Sequence, residues 1–243
     1  MEGLSLLLNE SATIGRLPYH PQCRKVKLTH LSFADDLLIF TEGSRTAISR
    51  VQETISDFYS LSGLKCNPAK CEVYFGGMSV LFKSRAIQVS GFQEGELPVR
   101  YLGLPLISGK LSTLESEKLV AKITQKIKSW RAKRLSYAGL LQLVSSVLMG
   151  VLQYWMQVFL FPKKVLKQVQ KICSCFLWHG EEGRAKIGWD RMVRPKKKGG
   201  LGLKELCSWN QACIARMLWL LLMQSWTIWV AWIQTYRIKQ GSI

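Results

Sequence analysis

An α+β fold is predicted by three features of this 243-residue sequence. Two short apolar runs, Leu28-Thr29-His30-Leu31-Ser32-Phe33 and Leu37-Leu38-Ile39-Phe40, lie on either side of Asp35-Asp36. Runs that short, rich in branched and aromatic residues, read as the two strands of a β-hairpin. Directly afterwards Ile48, Val51, Ile55, Phe58 and Ser62 recur at helical spacing. From residue 112 to 178 the pattern is helical throughout. With 48% hydrophobic residues the chain can bury a real core, and its length suits one or two domains.

Taken in order, the hairpin comes first. Asp tolerates left-handed backbone angles, so the Asp35-Asp36 pair is expected to form the turn. Two like charges there repel each other and gain nothing from packing. A divalent cation would relieve the repulsion, and hard cations such as Mg²⁺ favour carboxylate oxygens. The alternative is a solvated acidic turn. A helix is expected over roughly residues 46–62, stopped by Gly63 just past its end. After Gly63-Leu64-Lys65-Cys66-Asn67-Pro68-Ala69-Lys70 comes a short strand, Val73-Tyr74-Phe75, ending in Gly76-Gly77. Residues 1–106 thus mix short strands with two helices. Ser108-Gly109 marks the boundary to a helical region. There Ser112-x-x-Glu115 has the spacing of a capping box. Further helices are expected over Leu140–Phe161 and Lys163–Trp178, with Pro162 between them, and a loop over Pro195–Gly202.

These motifs, in this order, resemble the reverse transcriptase of LINE-type (non-LTR) retrotransposons of the plant kind. Phe33-Ala34-Asp35-Asp36, the helix, G-L-K-x-N-x-x-K from Gly63 to Lys70 and Tyr101-Leu102-Gly103-Leu104-Pro105-Leu106 carry the likeness. Downstream, W-x-x-x-x-L-S-x-A-G-x-L from Trp130 to Leu141 and Phe176-Leu177-Trp178-His179-Gly180 resemble the thumb region. Lys186-Ile187-Gly188-Trp189, Pro195-Lys196, Gly199-Gly200-Leu201-Gly202 and Asn210-Gln211-Ala212 resemble the segment after it.

The resemblance implies a partial polymerase palm over residues 1–107, a helical thumb-like domain over 108–180, and a basic loop with a Trp-rich helical segment over 181–243. It implies that Asp35 is the principal Mg²⁺ ligand and Asp36 the supporting one, both catalytic. Tyr101, Leu102 and Gly103 would form the turn that grips the primer, unless that turn serves only the core. Lys65 or Lys70 would meet nucleotide phosphates, and the sequence does not choose between them. The family's palm carries a further catalytic Asp upstream, and Met1 to Ala34 contains no Asp. Met1-Glu2-Gly3-Leu4 resembles the helix just after the family's nucleotide-pocket motif. The expectation is therefore the C-terminal part of an RNA-directed DNA polymerase, inactive by itself, whose Mg²⁺ site is weak or incomplete and whose N-terminal polymerase half would come from elsewhere. The alternatives are a non-catalytic nucleic-acid-binding remnant and a pseudogene product without function.

Charge points to nucleic acid independently of any family. Lys plus Arg number 34 against 16 acidic residues, a formal charge of +18. A surplus that large favours polyanions, because each neutralised phosphate releases counterions. Residues 118–180 contain no Asp or Glu. Lys118, Lys122 and Lys126 recur every four residues and form one stripe of a helix, while Val120, Ile123, Ile127 and Trp130 occupy another face. Such a stripe is often only a solvated face. The absence of acidic residues tips it toward phosphates of RNA, DNA or an RNA–DNA hybrid, bound without sequence preference. Lys128, Arg131, Lys133 and Arg134 extend it. A second basic run, Arg191, Arg194, Lys196, Lys197, Lys198 and Lys204, reads as a mobile loop for nucleic acid, for nuclear localisation or for solubility.

Seven cysteines at scattered spacings argue for an intracellular, reducing compartment, nucleus or cytoplasm. Cys173, Cys175 and His179 come nearest to a metal-binding spacing. Residues two apart on a helix point apart, and Cys207 and Cys213 lack a local His, so these four cysteines read as buried free thiols, while Cys66 and Cys71 merely flank a turn. Ile214–Ile233 is apolar enough to invite reading as a membrane span. Arg216 and Gln224 within it favour a buried or partner-seeking helix, and no span is expected. The acidic start Met1-Glu2 lacks the basic region of a signal peptide.

Overall fold

The computed structural model describes residues 1–107, 109–131, 135–178 and 187–238. Residues Lys133, Arg134, His179, Gly180, Lys186 and Ser108, named above, lie outside them. The chain divides into two compact units, Met1–Leu106 with Gln224–Ile243, and Ile107–Met223. The stretch 181–243 is thus shared between them.

The first unit is built on helix α1 (Glu2–Thr13), whose Leu4, Leu8 and Ala12 repeat at helical spacing and bury one face. Leu17 joins them, and Tyr19, Leu37, Ile39, Val51 and Phe58 pack around this cluster. Leu37 and Ile39 come from the expected hairpin, β1 (His30–Phe33) and β2 (Asp36–Ile39). Val51 and Phe58 come from α2 (Arg45–Ser62). Ser44 starts α2 by accepting from the Ala47 N–H, and Gly63 ends it in the left-handed region at φ 72°.

A 3-10 turn, Pro68–Lys70, follows, and then β3 (Glu72–Val73), which is shorter than the expected strand. It pairs in parallel with β4 (Gln93–Glu94). Between them lies α3 (Val80–Ser90), a third helix where the sequence suggested two in this region. Ser79 caps it and Gly91 stops it at φ 64°. Its apolar residues mark no clean stripe, since Val80 and Leu81 are exposed, and that hid it from a periodicity argument. The Gln52 side chain ties α2 to the last carbonyl of α3, at Ser90, over 2.7 Å. A second tight hairpin, β5 (Arg100–Tyr101) and β6 (Leu104–Pro105), completes the α+β portion.

The second unit is helical. Helix α4 (Thr113–Arg131) begins where expected, with the Ser112 hydroxyl accepting from the Glu115 N–H at 3.2 Å. Leu119, Val120, Ile123 and Ile127 are buried, and Trp130 lies against Phe176 with ring centroids 6.1 Å apart. The next rod combines α5 (Tyr137–Gln142), a π-helical stretch at Leu143–Leu148, and α6 (Met149–Met156). It stops five residues short of the expected Phe161. This rod, Tyr137–Met156, is long and apolar enough to cross a membrane by length and composition. Leu140, Val144, Leu148, Leu152 and Met156 along it are buried in the unit's core.

Helix α7 (Lys163–Leu177) is strongly amphipathic and packs on α4, on α5 and on α9 (Leu206–Leu222). A short helix, α8 (Trp189–Met192), supplies buried Trp189 and Met192. Asn210 of α9 is buried, and its amide donates to the carbonyls of Met156 and Phe159 while its oxygen accepts from the Phe161 N–H. One side chain thereby satisfies the frayed end of α6 and the turn after it.

The expected single helix over Ile214–Ile233 is two. Helix α9 ends at Leu222, Gln224 takes a left-handed φ of 49°, and Thr227 caps α10 (Ile228–Tyr236). Within the first unit α10 is tethered by polar contacts. The Trp232 indole donates to the Gln22 carbonyl at 2.7 Å, and the Tyr236 hydroxyl accepts from the Lys25 N–H at 2.8 Å. A continuous apolar run conceals such a break because periodicity does not register a single residue leaving helical angles.

Candidate functional site

The hairpin register places the two carboxylates differently from one another. Phe33 pairs with Asp36, so the turn is Ala34-Asp35 and not the Asp35-Asp36 pair, and Asp36 is the first residue of β2. Ala34 takes the left-handed angle, φ 52°, that had been assigned to Asp. An alanine there costs roughly 1 kcal/mol, a sign of a turn constrained by its surroundings. Side chains alternate across a strand, so His30, Ser32, Leu37 and Ile39 share one face and Leu31, Phe33, Asp36 and Leu38 the other. Leu37 and Ile39 pack on the α1–α2 cluster. Asp36 therefore sits on the outward face beside exposed Phe33, with Asp35 at the exposed tip.

Among the described residues neither Asp35 nor Asp36 is in an ion pair. No group of three or more His, Cys, Asp or Glu suited to a metal ion occurs among those residues either. The donor chemistry of the hairpin matches Mg²⁺, but two carboxylates fall short of the ligands an octahedral ion requires. The residues present do not by themselves fit a resident metal.

The other polymerase-like positions lie on a second hairpin and on the turn after α2. Tyr101 and Leu104 close a two-residue hairpin loop in which Leu102 and Gly103 both have positive φ, 52° and 79°. That is the twist-matched type I′ geometry, and Gly103 adopts it without penalty. Lys65 and Lys70 are exposed on the turn after α2, at the other end of which β3 begins. Among the described residues, Asp36 and Tyr101 belong to two different two-stranded sheets, and no strand pairing joins them.

In the second unit, Lys118 and Lys122 are exposed on α4, and Lys126 is half-buried at the edge of its apolar face, two turns after buried Leu119. The Lys118 ammonium lies 2.7 Å from the carboxylate of Glu115, whose side chain is almost wholly buried. Lys118 is therefore partly neutralised, whereas among the described residues Lys122 and Lys126, and Lys128 on another side of the helix, are in no ion pair. Sequence reading did not single out a second stripe, Lys163, Lys167 and Lys171, exposed along α7. The same four-residue spacing that revealed the first stripe would have found it.

The basic run starts inside α8 with Arg191 and continues through the loop expected over Pro195–Gly202, which is held by hydrogen bonds. Lys196–Lys198 form a 3-10 turn, and the N–H groups of Leu201 and Gly202 donate to the carbonyls of Met192 and Arg194. A Cβ on Gly200 would come within 2.1 Å of the Arg194 carbonyl, which explains glycine there. Lys204 is committed elsewhere. Its ammonium lies 3.6 Å from the centre of the Trp209 ring and 2.8 Å from Gln153 Oε1. Lys196, Lys197 and Lys198 remain exposed.

Of the four cysteines expected to be buried, Cys173 is, whereas Cys175, Cys207 and Cys213 are partly exposed. Cys23 is buried too, and Cys66 and Cys71 are partly exposed. The Cys66 and Cys71 sulfurs lie 3.0 Å apart across the 3-10 turn. A two-residue difference in burial separates Cys173 from Cys175, in keeping with their divergence on α7.

Comparison with known proteins bears on the first unit most directly. Residues 9–106 match the reverse transcriptase (RNA-dependent DNA polymerase) family, a stretch that runs from α1 through both tight hairpins. A putative ribonuclease H protein of Arabidopsis thaliana is 28% identical over 134 residues, covering 54% of this chain and 22% of that protein. The chain thus spans less than a quarter of that relative's length. Residues 9–106 are a reverse-transcriptase-like segment.

Proposed function

We propose that the chain is part of an RNA-directed DNA polymerase of the plant LINE (non-LTR) kind, comprising the end of a palm, a thumb and part of the region after it. The observation that carries this reading is the placement of the Asp35–Asp36 hairpin inside the matched stretch, with both carboxylates exposed. The helical unit that follows, with a Lys stripe on α4 and another on α7, supports a thumb that holds the phosphates of an RNA, a DNA or a hybrid duplex. Contacts of that kind carry no base information, so binding is without sequence preference. An intracellular, reducing location, nucleus or cytoplasm, goes with such a substrate.

In isolation the chain is inactive as a polymerase on this reading. Phosphoryl transfer draws most of its acceleration from charge stabilisation at a complete metal site. The hairpin supplies two carboxylates, no Asp stands before Asp35, and an ion there would be held weakly without nucleotide. A further palm segment carrying an Asp, from another stretch of polypeptide, would complete the set. The purified chain is expected not to extend a primed RNA template with Mg²⁺ and nucleotides. Extension that disappears in Asp35→Asn would show that the site is complete. A second reading, a nucleic-acid-binding segment without catalysis, is favoured by the Lys stripes alone and predicts duplex binding with no dependence on Asp35.

A further inference from the structure

We propose that Cys66 and Cys71 form an oxidisable dithiol, converted to an intramolecular disulfide by a disulfide or peroxide oxidant, and that the bond locks the turn bearing Lys65 and Lys70. The geometry carries the proposal. Asn67 folds the chain back on itself, its side chain accepting from the Ala69 N–H at 3.1 Å and its carbonyl from the Lys70 N–H at 3.0 Å. The Cys71 N–H then donates to the Pro68 carbonyl at 3.2 Å. This turn brings the two sulfurs to 3.0 Å, so closing the bond requires about an ångström of movement. Both thiols are partly exposed and accessible to a small reagent.

The two cysteines sit at joints of different elements. Cys66 follows the Gly63 stop of α2, whereas the Cys71 carbonyl accepts from the Gln93 N–H at 3.2 Å and so anchors to the β3–β4 pair. A bond between them would staple the exit of α2 to that small sheet. Lys65 and Lys70 lie immediately beside the two cysteines. Oxidation would therefore restrict both lysines.

The step balances as an ordinary thiol–disulfide exchange. Burial, and then the hydrogen bond and charge of Cys66, push the Cys71 thiol up. One of the two sulfurs, as thiolate, attacks a low-molecular-weight disulfide and releases one reduced thiol. The other gives up its proton as it attacks the first sulfur of the mixed disulfide, expelling the second reduced thiol. Two protein thiols are oxidised, and the reagent takes both electrons. In a reducing compartment the bond would form only under oxidative load, the setting in which intracellular disulfides serve as sensors.

The test uses the full chain, equilibrated in buffers of oxidised and reduced glutathione, then alkylated in denaturant and digested with trypsin. Cleavage after Lys65 and Lys70 places the two cysteines on different peptides, so the bond appears as a cross-link between them. The linked pair is expected to accumulate at a roughly tenfold lower oxidant ratio than any disulfide involving Cys175, Cys207 or Cys213, and to vanish on adding a dithiol reductant. Cys71→Ser and Cys66→Ser should each stop at glutathione on the cysteine that remains. Before denaturation, the oxidised chain should be cut by trypsin at Lys65 and Lys70 more slowly than the reduced one. Stable glutathione on Cys66 in the unaltered chain, or oxidation no more selective than at the other exposed cysteines, would overturn the dithiol. Equal cleavage of both forms would overturn the locking of the turn.

Discussion

Glu205 shows how much one side chain can set at the residue scale. It stands at the N-terminus of α9, where its carboxylate accepts from the N–H groups of Cys207 and Ser208 and from the Gln170 side chain of α7. Burial alone would raise its carboxyl, but hydrogen bonds from Ser208, Gln170 and Cys207 outweigh it and hold the group at about 2, against an ordinary 4.5. The native state therefore binds the proton more weakly than the unfolded chain does. The resulting stability is fully present above pH 4.5 and is lost as the pH falls from there through about 2. Glu205→Gln should cost roughly 1 kcal/mol in denaturant unfolding well above that window, as loss of a helix cap does. Near the lower end the parent has lost the same contribution, so the gap should close. A gap that stays constant across the window would mean that shape and not charge does the capping.

At the scale of elements, sequence periodicity was a reliable guide where one face is buried and a poor one where it is not. The β1–β2 hairpin was legible as two short apolar runs around a turn, and α2, α4 and α7 because their apolar residues repeat at three-to-four and land on a core. Helix α3 was not, because Val80 and Leu81 face solvent and its limits come from Ser79 and Gly91. The split between α9 and α10 rests on one residue's φ, and the Ala34-Asp35 turn on a register that composition does not reveal. The candidate site was legible in its residue types. Its partners were not, and Lys118 is the instructive case. Because Lys118 pairs with nearly buried Glu115, Lys118→Ala removes a cation from that carboxylate and so mixes an effect on folding with any effect on binding. The cleaner test of the α4 face is Lys122→Ala with Lys126→Ala. If each lysine meets a phosphate, the log–log salt slope of RNA or DNA binding should flatten by roughly one unit per lysine. The weakening should be the same for every sequence tested. Circular dichroism should stay unchanged. Binding and slope equal to the parent's would reduce the stripe to a solvated face.

For the whole molecule, net charge and the distribution of carboxylates make separate demands. A formal charge of +18 spread over both compact units gives long-range attraction to any polyanion, whereas Asp35 and Asp36 stand exposed at one hairpin and would repel a phosphate that approached without a cation. The two effects separate experimentally because one responds to ionic strength and the other to divalent ions. Screening shortens the reach of exposed charges to about 10 Å at 0.1 M salt. Binding of the full chain to single-stranded and duplex RNA or DNA should therefore fall steeply with monovalent salt. In the absence of divalent ions, Asp35→Asn should leave binding unchanged or slightly tighter, since it removes one repulsive charge. Millimolar Mg²⁺ should weaken the parent's binding through competition for phosphates, and should do so no less in the variant if the hairpin holds no ion by itself. Fluorescence anisotropy with a labelled oligonucleotide reads all three dependences. If Mg²⁺ instead strengthened binding by the parent and not by Asp35→Asn, the hairpin would be holding an ion against the nucleic acid, and the two carboxylates would suffice for a metal site.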